Sequence, residues 1–209
     1  MNKNEKDYLK FLNPSTFYRN FILSSLFITG YDLLKNSIIK RIESFYCNGW
    51  NENGMCISEE YKTKVLYLDQ KRRILNASIL WLKNHNIIDE NDVMIFKKIT
   101  LHRNELAHET LKILSDSDKE IDIDLFLEIK RLLKKIDQWF ILEVELQTEP
   151  DMTSEKWDSI DKDNVQSMNM IMFDYMVSII FNPLEDTNQV YEHFKLTLKE
   201  KYGNTIEDF

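Results

Sequence analysis

The stretch "TFYRNFILSSLFITGYDLLKNSIIKRIESFY", residues 16–46, contains one glycine and no proline. Phe17, Phe21, Ile28, Tyr31, Ile38, Ile42 and Phe45 recur along it at helical spacing, so the pattern predicts a long first helix over roughly 15–46. Pro14 stands just before it, where a proline suits a helix start.

The rest of the chain repeats the pattern. "CNGWNENGM" (47–55), with two glycines and three asparagines, reads as a loop. A second helix follows from about Glu59 to Asn84, with Ser58 as its N-cap and Tyr61, Val65, Leu68, Leu75, Ile79 and Leu82 as its stripe. Arg72 takes an apolar place in that stripe, read as a snorkelling side chain or as a charge reaching into a cleft. After the connection "NHNIIDEND" (84–92), Asp89 or Asn91 caps a third helix over Asp92–Leu114. A fourth runs from Asp122 to about Leu146 on Leu125, Ile129, Leu132, Ile136 and Trp139. Beyond Pro150 the chain is looser and acidic, with two further helices near 164–181 and 186–202 separated by Pro183.

Sheet-rich folds use many turn residues, and this chain has only 4 Gly and 3 Pro in 209 residues. The expected class is therefore all-α: a bundle of four main helices over 1–149, with a C-terminal helical extension over 150–209 packed on the same domain.

Charge and composition narrow the function. A net charge of −8 argues against a general electrostatic grip on nucleic acid, though not against a local basic site. Lys71-Arg72-Arg73, Lys97-Lys98 and Arg131 with Lys134-Lys135 are the candidate basic clusters, each of which reads first as a solvated helix face. The apolar run "FILSSLFITG" (21–30) is about half of what spans a bilayer, and no small-residue cleavage site follows it. Neither signal peptide nor membrane anchor is expected. Cys47 and Cys56 are too few for a disulfide framework or a zinc site, which fits a reduced cytoplasm.

One motif stands apart. In "HRNELAHE", residues 102–109, an arginine, its neighbouring asparagine and a histidine fall on one helix. On a helical wheel Ile95, Ile99, Leu106 and Ile113 cluster on the core side together with His102, which reads as a hydrogen-bonded packing residue. Asn104 and His108, four apart, lie nearly opposite, and Arg103 is about 140° from His108. Leu101 and Ala107 flank that outer face, so it suits an encounter with a second copy across a two-fold axis. Chance would yield Arg-Asn-x-x-x-His about 0.01 times in a chain of this composition. His85 and His193 are isolated and receive no role; Asp32 and Lys35 read as an ion pair or as cleft-lining residues.

Arg103-Asn104-x-x-x-His108 in the third long helix of a small all-α protein resembles the HEPN superfamily (higher eukaryotes and prokaryotes nucleotide-binding). The resemblance covers roughly 16–146; "GYDLLKNSII" (30–39) and "KKIDQWFILEVE" (134–145) also look like bacterial members, whereas the part after 150 has no counterpart. It implies a HEPN-like bundle and a metal-independent endoribonuclease of a toxin–antitoxin, abortive-infection or antiviral system, needing no cofactor. It further implies a homodimer whose paired motifs form one cleft, with Arg103 and His108 at the catalytic positions and Asn104 as their polar neighbour. RNA is then the substrate, and an antitoxin or other regulatory protein a further partner. One subset carries a tyrosine two residues after the histidine, where a partner nucleotidyltransferase modifies it; Thr110 departs from that pattern.

The chemistry fits these residue types. Attack of an RNA 2′-hydroxyl on its own phosphorus needs a base, an acid and cover for phosphorane charge. Histidine serves either proton role near neutral pH, and the arginine fork contacts two phosphate oxygens at once. No carboxylate cluster with metal-ligand spacing accompanies the motif, although Glu105 and Glu109 adjoin it. Two other readings stay open: a non-catalytic HEPN module that binds RNA, nucleotide or a partner protein, and a helical dimerisation domain in which the motif is coincidence.

Overall fold

The computed structural model describes residues 2–52 and 54–181. Among them are nine α-helices and one two-stranded antiparallel sheet, so the protein is all-α. The chain divides into two compact units, Met1–Met170 and Ile171–Phe209. The first holds all the features discussed below. Of the second, the described residues are the later part of the last helix. The helix expected over 186–202, with Pro183 and His193, lies outside the described residues.

Helix α2 (Pro14–Phe45) is the spine, at 32 residues roughly 48 Å long. Asn13 accepts the Thr16 N–H at 3.1 Å and Pro14 occupies the first turn, so the start lies where the proline predicts. Its buried seam is Leu23, Phe27, Tyr31, Leu34, Ile38 and Ile42, packed against the later helices. Tyr31, Ile38 and Ile42 of the expected stripe lie in this seam, whereas Phe21 and Phe45, toward its ends, are half exposed. Phe21 instead stacks on Phe17, which meets Phe11 edge-on. Phe11 belongs to α1 (Lys3–Leu12), a helix additional to the four expected; Tyr8, Leu9, Phe11 and Leu12 fall on one side of it, and none of its residues is fully buried. Polar tethers hold it: Lys10 donates to the Asp116 carbonyl at 2.8 Å, and Asp7 accepts the Ser117 N–H at 2.7 Å.

The expected loop at 47–55 is a hairpin of β1 (Cys47–Asn51) and β2 (Gly54–Ile57). Gly54, at φ +105°, supplies a backbone angle that other residues rarely adopt.

The second expected helix is broken. It becomes α3 (Glu59–Lys64), a 3₁₀ turn (Leu66–Leu68) and α4 (Ile74–Asn84). Asp69 causes the break: its carboxylate accepts the Arg73 backbone N–H at 2.9 Å and two guanidinium donors at 2.8 and 3.1 Å, and Arg73 holds it well below the usual carboxylate range. Arg72 is therefore in no helical stripe. It sits at φ +53° with its guanidinium 4.7 Å from the Tyr67 ring centroid.

Helix α5 (Glu90–His108) starts in a capping box formed by Asp89 and Asp92. The third helix does not continue to 114; it stops at His108 and restarts as α6 (Thr110–Ser115). Helix α7 (Ile123–Phe140) is capped by Asp122 and continues without a break as a π turn (Ile141–Glu145) and a 3₁₀ turn (Leu146–Thr148), so the fourth helical stretch has about the expected length but changes its winding after Phe140. Then come α8 (Ser154–Ser159) and α9 (Met168–Phe181). Residues 162–167 lie along α7, where the Gln138 amide donates to the Asp163 carbonyl at 3.0 Å. The core of the bundle is Phe27, Leu34 and Ile38 with Trp81, Leu82, Ile99, Leu106, Ile129, Leu133 and Phe140.

Asp92 fastens α5 to α7. Only 2 % exposed, it takes Arg131 and Lys135 at 2.6 Å each. Burial pushes its carboxyl upward, but Lys135 and Arg131 outweigh burial and hold it below the ordinary value. A lowered folded value stabilises the fold above the unfolded value of about 4, and that contribution disappears as pH falls through the lowered value. Asp92→Asn should therefore cost about 2 kcal/mol at neutral pH, a figure reduced because both cations remain partly in water. Urea titrations at neutral pH and near pH 3 should show that deficit shrinking in acid; a deficit that stays constant refutes the assignment.

Candidate functional site

Helix α5 carries the motif along its C-terminal half, where one face packs and the other does not. Ile99 and Leu106 are fully buried, whereas Leu101 is 71 % exposed and Leu111, just beyond the helix, 67 %. Asn104, Ala107 and His108 are exposed between them. Counting from Leu101, the positions Asn104, His108 and Leu111 follow at +3, +7 and +10, and Met94, half exposed, precedes them by seven. Met94, Leu101, Asn104 and His108 form one solvent-facing stripe of mixed character on α5, and Leu111 lies beyond the kink on α6, beside α1.

Arg103 turns the other way. Its Cζ lies 5.2 Å from the Tyr31 ring centroid, and Nη2 reaches the Asp32 carboxylate at 3.5 Å. Nη1 donates to the Asn104 side-chain oxygen at 3.4 Å. Nε is buried without a hydrogen-bond partner. A guanidinium has five donors; here two are engaged, both at the long limit of a hydrogen bond. A buried donor left unpaired is uncommon and marks a place where an oxygen from outside would be stabilising. So Asp32 does not simply close an ion pair with Lys35; it faces Arg103 across the α2–α5 contact.

His108 is the last residue of α5, and the chain kinks at Glu109 (φ −119°, ψ 28°). Thr110 helps to set the kink, its hydroxyl donating to the Leu106 carbonyl at 2.5 Å. Among the described residues His108 makes no hydrogen bond or ion pair, so its imidazole nitrogens are available to a ligand.

The other polar residues nearby are engaged. His102 accepts the Asp122 N–H at Nε2 (3.1 Å), faces Glu105 with Nδ1 at 3.5 Å and meets Phe27 edge-on at 4.9 Å, a packing role. Lys119 bridges Glu105 and Glu109. It leads in holding the Glu105 carboxyl low, while Lys112 and then Lys119 do so for Glu109, so both carboxylates serve the fold. His85 stacks on Trp81 at 3.9 Å and meets its carbonyl through Nδ1 at 2.8 Å. Of the basic clusters, Arg73 is spent on Asp69 and Arg131 and Lys135 on Asp92, whereas Lys97 and Lys98 are exposed on α5 itself.

Among the described residues no group of three or more His, Cys, Asp or Glu is placed to hold a metal ion. Nor is any described helix long and apolar enough to cross a membrane. Sequence reasoning missed Tyr31 as the platform beneath Arg103, because as a core-facing aromatic it carried no separate signal. No family model, curated protein or solved structure matches this chain.

Proposed function

We propose that the chain is a HEPN-type, metal-independent endoribonuclease, acting as a toxin or antiphage effector, whose site is shared between two copies. The observation that carries this reading is Arg103: an under-bonded guanidinium, seated on Tyr31 and Asp32, on the same helix as a free, solvent-facing His108. Within one copy Arg103 packs against α2 but reaches the exposed face at Asn104, while His108 is exposed one turn further on. Two copies meeting along the Leu101–His108 face would bring two histidines and two arginine–asparagine pairs to one cleft.

In that cleft one imidazole takes the 2′-proton while the other gives a proton to the departing 5′-oxygen. The guanidiniums cover the charge on the phosphorane. Asp32 limits where each guanidinium can go, and Asn104 offers an amide one turn from His108. The product is a 2′,3′-cyclic phosphate and a free 5′-hydroxyl. Atoms balance without water or metal.

The test is cleavage of RNA by purified protein in EDTA, with the ends mapped. Cyclic-phosphate ends support the reading. If RNA binds but is not cut, the protein is a binding module built on the same helix. The shared site makes a second prediction: Leu101→Glu places a charge in the centre of the stripe. It should convert a dimer to a monomer by light scattering and reduce cleavage at least tenfold, while circular dichroism stays unchanged because Leu101 packs little within its own copy. Full activity in a monomeric variant is incompatible with a shared site.

A further inference from the structure

On α2, Asp32, Asn36, Lys40 and Ser44 follow one another at intervals of four, one continuous row on the helix surface. The row starts at the partner of Arg103. It ends, roughly 18 Å away by helical rise, at a cavity of about 390 Å³ that Asn36, Lys40 and Ser44 all line. Asn36, Ser44, Thr148 and Asn169 give this cavity amide and hydroxyl groups, and Phe45 and Phe140 give it aromatic walls. Phe45 is 44 % exposed and is braced by Tyr46 and Trp81 at 5.2 and 5.5 Å.

The cavity is not built for an anion. Arg41 at its rim is committed to Asp137 at 3.2 Å and to Glu145, and Lys40 is paired with Glu43 at 2.7 Å. The Thr148 hydroxyl is taken by the Val144 and Glu145 carbonyls at 3.0 Å each. What remains uncommitted is neutral: the Asn36 and Asn169 amides and the Ser44 hydroxyl, which both donate and accept, beside aromatic rings. That is the complement of a planar heterocycle with hydrogen-bonding edges. A nucleobase stacks on aromatic side chains and is read by amides at its edge. The volume lies within the range of small-ligand sites.

We propose that this cavity is a nucleobase pocket, filled by one base of the RNA strand whose scissile phosphate lies at Arg103. The proposal rests on the ribonuclease reading above. Its consequence is that the pocket, not the Arg103–His108 motif, sets which sequences are cut. The motif touches only the backbone, and α2 spans the distance from phosphate to base rigidly.

The test uses the full chain carrying His108→Ala, which should bind RNA without cutting it, and short labelled homopolymers of A, C, G and U followed by fluorescence anisotropy in EDTA. One homopolymer should bind best. Asn36→Ala combined with Asn169→Ala should remove that preference and weaken the favoured homopolymer about tenfold, and Phe45→Leu should weaken all four by a similar factor. Arg103→Ala should lower all four equally, since it meets phosphate alone. A preference that survives the asparagine substitutions overturns the pocket, even if wild-type protein cleaves RNA. A free nucleoside that binds through the same asparagines, when no homopolymer binds, overturns the RNA strand as its source and with it the ribonuclease reading.

Discussion

Alanine at His108 is expected to slow RNA cleavage by about 10²–10⁴-fold, the usual worth of a positioned proton-transfer group, with no loss of stability. The second half of that expectation is as diagnostic as the first. His108 is exposed and makes no hydrogen bond or ion pair among the described residues, so its removal should move the unfolding midpoint by no more than a surface substitution does, about 0.5 kcal/mol. Arg103→Ala should slow cleavage by about 10²–10³-fold. Arg103→Lys should recover little of that, because an ammonium keeps the charge but not the fork or the stacking on Tyr31. A His108→Ala protein that cuts at the wild-type rate would end the ribonuclease reading.

Mixing excess Arg103→Ala/His108→Ala protein into wild type separates a shared site from two private ones. After exchange of copies, a mixed dimer has one histidine and one guanidinium in a cleft whose mechanism uses two imidazoles, one as base and one as acid. Loss of activity beyond simple dilution of the wild-type copies is the expected outcome. Activity that tracks the number of wild-type copies would mean that each copy carries its own complete site.

How much of this was legible beforehand depends on whether local pattern or distant contact decided the element. The length and start of α2 follow from residues 14–46 alone, since apolar spacing and Pro14 are local signals. Its buried seam was legible only in part, through Tyr31, Ile38 and Ile42, because an exposed Phe21 and a buried Leu34 are equally apolar in sequence; only the packing of α4, α5 and α7 distinguishes them. The breaks at Asp69 and Thr110 escaped notice for another reason. Each depends on one polar side chain choosing a backbone group over solvent, and apolar periodicity continues across both. Helix α1 was legible in its Asn2 and Glu5 capping pair and in Tyr8, Leu9, Phe11 and Leu12 on one side, but it is short and only Phe11 turns that side into a contact, with Phe17.

The candidate site divides in the same way. The spacing of Arg103, Asn104 and His108 was plain, as was the packing role of His102. That Arg103 leans on Asp32 was not, because those residues are 71 apart in the chain and only the α2–α5 crossing joins them. The basic clusters were ambiguous until Asp92 and Asp69 appeared as their partners. A lysine or arginine on a helix face looks the same whether it awaits a phosphate or already holds a buried carboxylate.

Asp137→Ala should be among the most destabilising single substitutions in the protein, at about 3–5 kcal/mol. Asp137 is fully buried, yet all its oxygens are used. Ser37 on α2 and Ser167 before α9 donate their hydroxyls to it, and Arg41 donates Nε at 3.2 Å. Ser167 in turn accepts the Met170 N–H at 3.1 Å, so one carboxylate supports the start of α9 as well as the α2–α7 contact. Alanine would leave two hydroxyls and a guanidinium donor without their acceptor in a place water reaches poorly. Thermal unfolding should fall by roughly 10 °C for a chain of this size. Asp137→Asn should cost less, because one oxygen and the shape survive. The decisive comparison is a variant in which Ser37 and Ser167 become alanine together with Asp137→Leu: removing donors and acceptor at once should regain much of the loss, since the penalty arises from stranded groups and not from the absent ion pair. If that variant is as unstable as Asp137→Ala, the carboxylate contributes net attraction to Arg41, and the rim of the proposed base pocket depends on it directly.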